Sequence, residues 1–357
     1  MAYTTIDNPE LYFQTKLYVQ NASTNAITLD GSENMQPDWV WIKNRDSSNR
    51  DHRIFDSVRG ANKPLKVNGN TAEATATDTL NSFDSDGFTL GADSEGYGVN
   101  DLNTNNTVAW NWKAGGSASS NSNGSTTSSV SAGSTQGFSI STFTSPGSGT
   151  FTFGHGLSSA PKVVILKRRD GSQNWIFGHD SAGWGYWSKL NDTDAKLSNT
   201  SMWQNTAPSS SIVSLDTSQI GASNTFVAYC LSEVKGYSKF TSFTGNGSTD
   251  GPFVYLGFRA SFVIIKRTDS SANWQMYDNK RDGFNGAGYP AKGNESLRPN
   301  TSEAESSATG YDIDICANGI KLRNSSSTMN SSGATHIVMA FAESPLVNSN
   351  GIPNNAR

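Results

Sequence analysis

The residues best suited to acid–base chemistry in this sequence are four histidines and several closely spaced aspartates. The histidines are His52, His155, His179 and His336. Their spacing matches no metal-ligand pattern. His179 beside Asp180 resembles a general-base pair, and Asp312 with Asp314 resembles the carboxylate pair of a glycosidase. Turn formation or a solvated strand face explains these carboxylates better. No G-x-S-x-G elbow occurs, so the sequence favours a protein without catalytic activity.

Calcium binding is the second chemistry that the acidic residues allow. The densest cluster of aspartates is Asp84, Asp86, Asp93 and Asp101. Carboxylates and carbonyls in Asp/Asn/Gly loops are the ligands that Ca²⁺ prefers. The cluster lacks EF-hand spacing, however, and such loops form stable turns without a metal. We therefore expect no cofactor, with calcium at these four aspartates as the weaker alternative.

The two cysteines, Cys230 and Cys316, each lie inside an apolar stretch. No CxxC motif and no Cys/His cluster accompanies them, and a disulfide framework would need more cysteines. The pattern predicts two buried free thiols, and a single disulfide is the alternative.

The aromatic residues divide into two groups. Six tryptophans recur at predicted strand positions and are best explained as core residues: Trp39, Trp41, Trp110, Trp112, Trp175 and Trp274. Trp184, Tyr186 and Trp187 lie instead in a Gly-flanked loop. If exposed, these rings could stack on sugar faces while nearby polar groups bind hydroxyls. The alternatives are that the loop folds over its own module or contacts another protein. A later loop, with Phe284 and Tyr289, is the second candidate ligand-binding region.

The composition indicates short β-strands joined by turns. Charged residues are 16% and hydrophobic residues 34% of the chain, but aromatic residues reach 10%, which is high for a disordered protein. Gly, Ser, Asn and Thr fill the remainder, as they do in turn-rich β proteins. The only helical segments that we predict are short, around residues 71–79 and 300–306.

Charge and hydropathy disfavour nucleic-acid and membrane partners. The formal net charge is −4, and no basic run exceeds Lys167-Arg168-Arg169, whereas nucleic-acid binding normally requires a basic face. No apolar stretch approaches the roughly 20 residues of a membrane helix. The first residues, MAYTTIDNPELYF, lack the basic and apolar regions of a secretory signal. We therefore expect synthesis in a cytoplasm and no membrane insertion.

The strongest pattern is an internal repeat of about one hundred residues. Val40–Asp46, Val164–Asp170 and Val263–Asp269 share an apolar run that ends in Lys-x-x-Asp. An upstream strand ends in an aromatic residue 25, 24 and 23 residues before the lysine, at Tyr18, Phe143 and Phe243. A strand that opens with Thr closes each copy, at residues 107–112, 225–231 and 335–341. Recurrence in this order predicts three copies of one β module.

The repeat sets the predicted domain boundaries. They are an N-terminal arm at 1–13, module 1 at 14–115, a flexible Gly/Ser/Asn-rich linker at 116–131, module 2 at 132–236, module 3 at 237–345 and a C-terminal tail at 346–357. Modules 2 and 3 follow each other without a spacer, so we expect them to pack as a rigid pair, with module 1 more independent.

The predicted fold class is all-β, with three repeated antiparallel β-sandwich modules of jelly-roll or lectin-like type. The three runs that end at Lys43, Lys167 and Lys266 are apolar on both faces until the lysine. A strand that is apolar on both faces is buried on both sides. We therefore expect these runs to be central strands.

Several sequence motifs resemble a family of proteins encoded by marine bacteriophages. The motifs are QPDWVWIKNRD, SFDSDGFTLG, NTVAWNWKAGG, GHGLSSAPKVVILKRRD, GYSKFTSFTGNGSTDGPFVYLGFRASFVIIKRTD and MAFAESP. Members of that family are described as tail-fibre or virion structural proteins with a concanavalin-A-like or laminin-G-like domain. The resemblance runs across nearly the whole chain. It implies a protein of the virion, made in the cytoplasm of the bacterial host.

The resemblance supports a place in the virion better than any one binding activity. Our first hypothesis is a non-enzymatic role in host-surface recognition, as part of a tail fibre or similar appendage. Its partners would be other virion proteins and a host-surface glycan or protein. By analogy with phage fibres, we expect a homotrimer. Only about thirteen residues precede module 1 and no apolar heptads occur, which favours a short fibre, a fibre tip or a capsid decoration protein over a long shaft. Capsid decoration is the alternative function, and a polysaccharide-degrading enzyme is the second alternative.

Overall fold

A computed structural model describes residues 2–281, 295–306 and 310–354 of the chain. Helix in these residues is limited to single turns: 3-10 turns at Pro9–Leu11 and Asp180–Ala182 and an α-helical turn at Thr217–Ile220. The rest of the regular structure is antiparallel β-strand, which confirms the predicted all-β class. No helix in the described ranges is long and apolar enough to cross a bilayer.

The two predicted helical segments, 71–79 and 300–306, are not helical. In the first segment, the backbone N–H of Glu73 donates to the carbonyl of Arg169, which belongs to another module. In the second, the Asn300 side chain accepts from the backbone N–H of Trp274 at 3.1 Å and therefore does not cap a helix. Tertiary hydrogen bonds thus replace the local bonds that a helical turn would supply.

Module 1 consists of two sheets. Its strands are β1 (Phe13–Asn21), β2 (Asn25–Ile27), β3 (Trp39–Asn44), β4 (Arg53–Asp56), β5 (Gly60–Lys66), β6 (Leu80–Asp84), β7 (Gly87–Leu90) and β8 (Asn103–Trp112). The larger sheet has the order β1-β8-β3-β4-β5, and the smaller has the order β2-β7-β6.

Module 2 also has a large and a small sheet. Its strands are β9 (Ser119–Asn121), β10 (Ser128–Gly133), β11 (Phe138–Thr144), β12 (Thr150–Gly154), β13 (Val163–Arg168), β14 (Ile176–His179), β15 (Tyr186–Lys189), β16 (Leu197–Ser198), β17 (Ile212–Asp216) and β18 (Thr225–Leu231). The large sheet has the order β16-β15-β14-β13-β18-β11-β10-β9, and β12 pairs with β17 in the small one.

Module 3 has a four-stranded and a three-stranded sheet. Its strands are β19 (Ser238–Thr244), β20 (Phe253–Tyr255), β21 (Phe258–Arg267), β22 (Gln275–Asp278), β23 (Ile313–Cys316), β24 (Gly319–Leu322) and β25 (Thr335–Pro345). The sheet orders are β19-β25-β21-β22 and β20-β24-β23.

The three larger sheets share one strand order. β1-β8-β3-β4, β11-β18-β13-β14 and β19-β25-β21-β22 each place the module's first long strand beside its last strand. The strand that carries the buried lysine, β3, β13 or β21, comes next and is flanked on both sides. The prediction that these three apolar runs form central strands is therefore confirmed.

The predicted linker at 116–131 is not a flexible connection, and this prediction was wrong. Most of it lies in or beside β9 and β10, which extend the large sheet of module 2. Ser128 is buried, and its hydroxyl donates to the Gly154 carbonyl at 2.6 Å. A Cβ at Gly115 or Gly124 would lie 2.3 or 2.5 Å from a backbone oxygen. The small residues therefore permit close packing of backbone on backbone.

The three modules share one central core. In β3, Trp39 and Trp41 face this core, whereas Val40 and Ile42 face a smaller core between the two sheets of module 1. The ring of Trp39 lies 4.4 Å from that of Trp112 and 4.8 Å from that of Tyr229 in module 2.

Other ring contacts join the remaining modules across the same core. Phe13 of module 1 stacks on Phe341 of module 3 at 5.5 Å, and Phe177 of module 2 meets Trp274 of module 3 at 4.9 Å. Module 1 therefore packs against both other modules through its tryptophan-rich face. The prediction that module 1 would be more independent than a rigid pair of modules 2 and 3 was wrong.

The segments predicted as tails are bound to the modules. Thr4 and Ile6 of the N-terminal arm are buried. The Tyr3 hydroxyl donates to the Gly257 carbonyl of module 3 at 2.7 Å, and Ser349 N donates to Asp7 at 2.7 Å. The N-terminal and C-terminal segments thus lie together against module 3.

Candidate functional site

Three lysines at equivalent positions are fully buried where the modules meet: Lys43, Lys167 and Lys266. Each ammonium donates to a carbonyl of its own module and to one of a neighbouring module. The cross-module acceptors are Ser302 at 3.2 Å from Lys43, Asn70 at 3.0 Å from Lys167 and Thr193 at 3.0 Å from Lys266. Burial lowers the pKa of each lysine to about 8.

These lysine contacts follow one cyclic order: module 1 to module 3, module 3 to module 2, and module 2 to module 1. Backbone hydrogen bonds repeat the same order. The acceptor and donor pairs are Arg45 O with Glu305 N at 2.8 Å, Thr268 O with Lys196 N at 2.9 Å and Arg169 O with Glu73 N at 2.8 Å. The three modules therefore form a closed ring, with an approximately threefold arrangement of contacts inside one chain.

Two fully buried ion pairs occupy equivalent positions in modules 1 and 3. Asp56 pairs with Arg59, and Asp278 pairs with Arg281, each with 2.5 Å between Oδ2 and Nε. Each carboxylate also accepts from the neighbouring module. Asp56 accepts from the Tyr229 hydroxyl at 2.7 Å, and Asp278 accepts from the Trp110 indole at 2.9 Å. These carboxylates are fully engaged in holding modules together.

Two glutamates extend the ion pairs across the module boundaries. Glu73 lies 3.0 Å from Arg59 of its own module and 2.8 Å from Arg169 of module 2. Glu305 lies 2.6 Å from both Arg281 of its own module and Arg45 of module 1. Burial alone would raise the pKa of Glu73, but its two arginine partners outweigh burial and lower it.

Module 2 carries a histidine where the other modules carry the buried aspartate. The strand register pairs Trp39 with Asp56, Phe262 with Asp278, and Val163 with His179. His179 Nδ1 accepts from Ser181 N at 3.1 Å, so Nε2 carries the proton towards the Val338 carbonyl of module 3, 3.3 Å away. Burial lowers the pKa of His179 to about 4.

Asp180, which the sequence suggested as a general-base partner of His179, is the next residue along the chain. Its carboxylate accepts from Trp184 Nε1 at 3.0 Å and from Lys162 Nζ at 2.8 Å. It therefore stabilises the start of the following loop and does not serve His179 as an acid–base partner.

The other three histidines are also engaged in structural contacts. His52 Nδ1 accepts from the Trp41 indole at 3.0 Å, and His155 Nδ1 accepts from Leu157 N at 3.2 Å. His336 stacks on Phe243 with ring centroids 4.7 Å apart. Burial lowers the pKa of all three, and that of His336 falls to about 4. These histidines are therefore neutral near pH 7.

Both cysteines are free, as predicted from the sequence. Cys230 is buried in the core of module 2, where burial raises the pKa of its thiol. Cys316 is only partly buried, so the prediction of burial is right for Cys230 alone. The two thiols lie in different modules and are not joined by a disulfide.

The aromatic loop of module 2 is largely folded over its own module. Trp184 is 7% exposed and meets Trp203 edge-on at 5.4 Å, while Trp187 packs against the same core. Tyr186 is 37% exposed, and the Lys196 ammonium lies 4.1 Å from the centre of its ring. Of the three predicted ligand-binding residues, Tyr186 is therefore exposed, Trp187 is partly buried and Trp184 is buried.

The second candidate region, with Phe284 and Tyr289, lies outside the described residues. Its sequence interpretation therefore stays a prediction.

The four aspartates considered for calcium each have a local structural partner. Asp84 accepts from the hydroxyls of Ser82 and Thr89, both at 2.7 Å, and Asp86 accepts from Met35 N at 3.1 Å. Asp93 accepts from the backbone N–H groups of three residues of its own loop, and Asp101 pairs with an arginine at 2.6 Å. Within the described ranges, no three His, Cys, Asp or Glu side chains are grouped as metal ligands.

An exposed aromatic surface that sequence reasoning missed lies on the outer side of β20. Phe253 is 46% and Tyr255 is 53% exposed, while Val254 between them is buried in the module core. Across the strand pair, Phe253 lies opposite Lys321 and Tyr255 lies opposite Gly319. We call Phe253, Tyr255 and Lys321 the β20 aromatic face. Phe253, Val254 and Tyr255 are all apolar, so the sequence does not show the alternation of exposed and buried residues that would have predicted this face.

Tyr3 of the N-terminal arm borders this face. Its hydroxyl lies 3.3 Å from that of Tyr255, and the Lys235 ammonium lies 4.4 Å from the centre of its ring. Two open grooves of about 570 and 470 Å³ flank Tyr3 and Lys235. The remaining lining residues are Ala2, Thr4, Thr5, Ser134, Thr135, Ser159, Glu233 and Val234 in the first groove and Ala2, Ser349, Asn350 and Gly351 in the second.

Comparison with known protein families identifies a match that covers most of the chain. The sequence model of a family described as Domain of unknown function (DUF7483) matches residues 8–345. No curated protein and no solved structure matches the chain. The matched range begins in the N-terminal arm and ends with the last residue of β25, so it includes all three pairs of sheets.

Proposed function

This chain belongs to the DUF7483 family of unknown function, and we propose that it is a non-enzymatic bacteriophage surface protein that binds a host-surface glycan. The assignment to a virion rests on the resemblance of its motifs to marine phage proteins. The proposed location is a tail fibre, a fibre tip or a similar appendage, with other virion proteins as partners.

One observation carries the binding role: module 3 exposes two aromatic rings that the fold does not require. Hydrophobic patches on a soluble surface commonly mark binding sites, and aromatic rings with polar neighbours suit sugars. In contrast, the buried Asp56 and Asp278 and the histidine His179 are engaged in contacts between modules. This division supports binding rather than catalysis as the activity.

The ring of modules supports a second candidate, capsid decoration. The three larger sheets have the same strand order, as three copies of one module would. The contacts between modules inside one chain are therefore approximately threefold, and a chain with such internal symmetry fits a position of threefold symmetry on a shell without forming a homotrimer. The homotrimer predicted by analogy with fibres stays a prediction for the tail-fibre candidate.

Antibodies raised against the full chain, applied to purified particles of the phage that encodes it, test both locations. Gold label at the tail tip or on an appendage is the expected result in electron micrographs. Label on capsid faces or vertices would instead favour decoration. Label on neither, with the chain missing from purified particles in a protein gel, would overturn the virion assignment.

Host recognition has its own test, which is inhibition of adsorption by the purified full chain. We expect added chain to occupy host receptors and reduce the number of phage that adsorb. Unchanged adsorption at saturating chain, together with no binding of labelled chain to host cells, would contradict a role in recognition.

A further inference from the structure

We propose that the β20 aromatic face and the grooves beside Tyr3 form one binding site for a pyranose polysaccharide of the host bacterial surface. This inference rests on the proposed function and names its ligand class and residues. Phe253 and Tyr255 would stack on successive sugar rings, while the Tyr3 grooves would take the continuing chain.

The strand geometry gives two parallel stacking positions. Phe253 and Tyr255 are two residues apart in β20 and project from the same side of the sheet. Alternate residues of a strand are separated by about 6.7 Å, so linked sugar rings can contact both aromatic side chains at once. The ring of Phe253 lies over Gly319, and a Cβ added at Gly319 would be only 2.7 Å from Cζ of Phe253. Because Gly319 has no side chain, the ring can lie close to the sheet. An extended sugar chain can therefore lie along β20.

The fold does not demand aromatic residues at these two positions. In module 1, Ala26 lies opposite Thr89, and in module 2, Thr152 lies opposite Ser214, as Phe253 lies opposite Lys321. In module 2, Gly154 lies opposite Ile212 as Tyr255 lies opposite Gly319, and in module 1 the residue that follows β2 is Thr28. Two modules thus form the same sheet pair with small residues. The exposed rings of module 3 need an explanation other than folding.

The size of the exposed surface favours a sugar over a folded protein partner. A large aromatic side chain has roughly 200 Å² of surface, so rings that are 46% and 53% exposed present together only about 200 Å². A stable protein interface needs about 800 Å² on each side. A short stretch of polysaccharide needs much less contact area, because it is bound by a few stacked rings and hydrogen bonds.

The polar groups around the rings suit a hydroxyl-rich chain. The Tyr3 hydroxyl donates its proton to the Gly257 carbonyl, so in the 3.3 Å contact between the two tyrosine hydroxyls Tyr255 is the donor. The hydroxyl oxygens of Tyr3 and Tyr255 can both still accept a hydrogen bond from a sugar. Lys321 pairs with Asp250 at 2.8 Å, which balances charge beside Phe253. Serine and threonine residues line the larger groove, whose volume of about 570 Å³ is that of a small-ligand site. The site therefore fits a neutral or weakly charged polysaccharide.

The test measures binding of the full chain to immobilised capsular and O-antigen polysaccharides, including those extracted from a strain that the phage infects. The test variant is Phe253→Ala with Tyr255→Ala, and Val19→Ala is the control because Val19 is an apolar strand residue of module 1 that is 54% exposed. We expect at least about a tenfold loss of affinity in the double variant, with an unchanged thermal midpoint, and wild-type affinity in the control. Phe253→Tyr, which keeps the ring, should retain binding.

Two results would overturn the inference. One is wild-type affinity in the double variant, and the other is no binding to any polysaccharide of the infected strain. If the chain is found on particles and reduces adsorption in either case, the proposed function stands and only the site or ligand is wrong. Absence of the chain from particles would overturn the proposed function itself, even if the chain binds polysaccharide.

Discussion

The hydroxyl of Tyr229 donates a 2.7 Å hydrogen bond to the carboxylate of Asp56 across the boundary between modules 1 and 2. The same Asp56 oxygen receives the Arg59 guanidinium, and both charged side chains are fully buried. A carboxylate whose donors come from two modules couples the folding of one module to the docking of the next. The equivalent link from Trp110 to Asp278 does the same for modules 1 and 3.

Replacing Asp56 with Ala should destabilise the protein strongly. The change leaves Arg59 buried without its closest partner, and breaking a buried ion pair costs about 3–5 kcal/mol. Tyr229→Phe removes only one hydrogen bond to a charged group and should cost about 1.5–3 kcal/mol. Urea unfolding of each variant measures both effects. A loss below about 1 kcal/mol for Asp56→Ala would contradict this account of the module boundary.

The free energy of unfolding should fall as the pH falls from about 6.5 towards 4. Burial holds the pKa of His179 at about 4 in the folded protein, whereas the unfolded chain titrates near 6.5, so the unfolded state binds more protons in this window. The contribution of His179 to the free energy of unfolding is fully present above pH 6.5 and is lost as the pH falls through 4. A shift of this size corresponds to roughly 3 kcal/mol.

His179→Gln should make this acid dependence shallower, which urea unfolding at pH 6.5, 5.5 and 4.5 would measure. His336→Asn provides a comparison, because burial also lowers the pKa of His336 to about 4. Wild-type slopes in both variants would show that these two histidines do not control acid stability.

Between pH 8 and about 10, the free energy of unfolding should rise. The three buried lysines have a pKa of about 8 in the folded protein and near 10.4 when unfolded, so the unfolded chain again binds more protons. Each lysine contributes at most about 1.4 kcal/mol per pH unit. Lys266→Met should reduce the rise by about one third, because one of the three lysines is removed. An unchanged slope in the variant would argue against the lowered pKa of Lys266.

A fragment of residues 1–115 should not fold by itself into a stable module. Removal of modules 2 and 3 would expose Trp39, Trp41, Trp110 and Trp112, which face the shared core. At about 25 cal/mol per Å² and roughly 200 Å² per ring, the loss is up to about 20 kcal/mol. A whole domain is stable by only about 5–15 kcal/mol. Near-ultraviolet circular dichroism should show little tertiary structure, and a cooperative unfolding transition of the fragment would contradict the expectation.

The strands and their order along the chain could be predicted because each central strand has its own local pattern. An apolar run that ends in a lysine requires burial on both faces, and β3, β13 and β21 meet that requirement. What the run packs against is not encoded locally. From the sequence alone, Trp39 could lie in the core of its own module or in a core shared by three modules.

Predictions that rested on composition alone were less accurate, because composition does not show what a residue packs against. Small residues at 116–131 are typical of linkers, but a side chain at Gly124 would collide with the backbone oxygen of Thr152. Trp184, considered for ligand binding if exposed, is held inward by a hydrogen bond to Asp180, as expected if the loop folds over its own module. Phe253 and Tyr255 gave no distinctive signal, because exposed and buried aromatic residues look alike until the strand partner is known.

The stacking of Phe13 on Phe341 places the first strand of the chain against the last. During synthesis, the ring of modules therefore cannot close until β25 has left the ribosome, and module 1 must wait with its tryptophans uncovered. The same adjacency makes the two ends joinable. A circular permutant with a short connection from residue 354 to residue 2, opened at the exposed Lys235 between β18 and β19, should fold to the same ring while changing which module is made first.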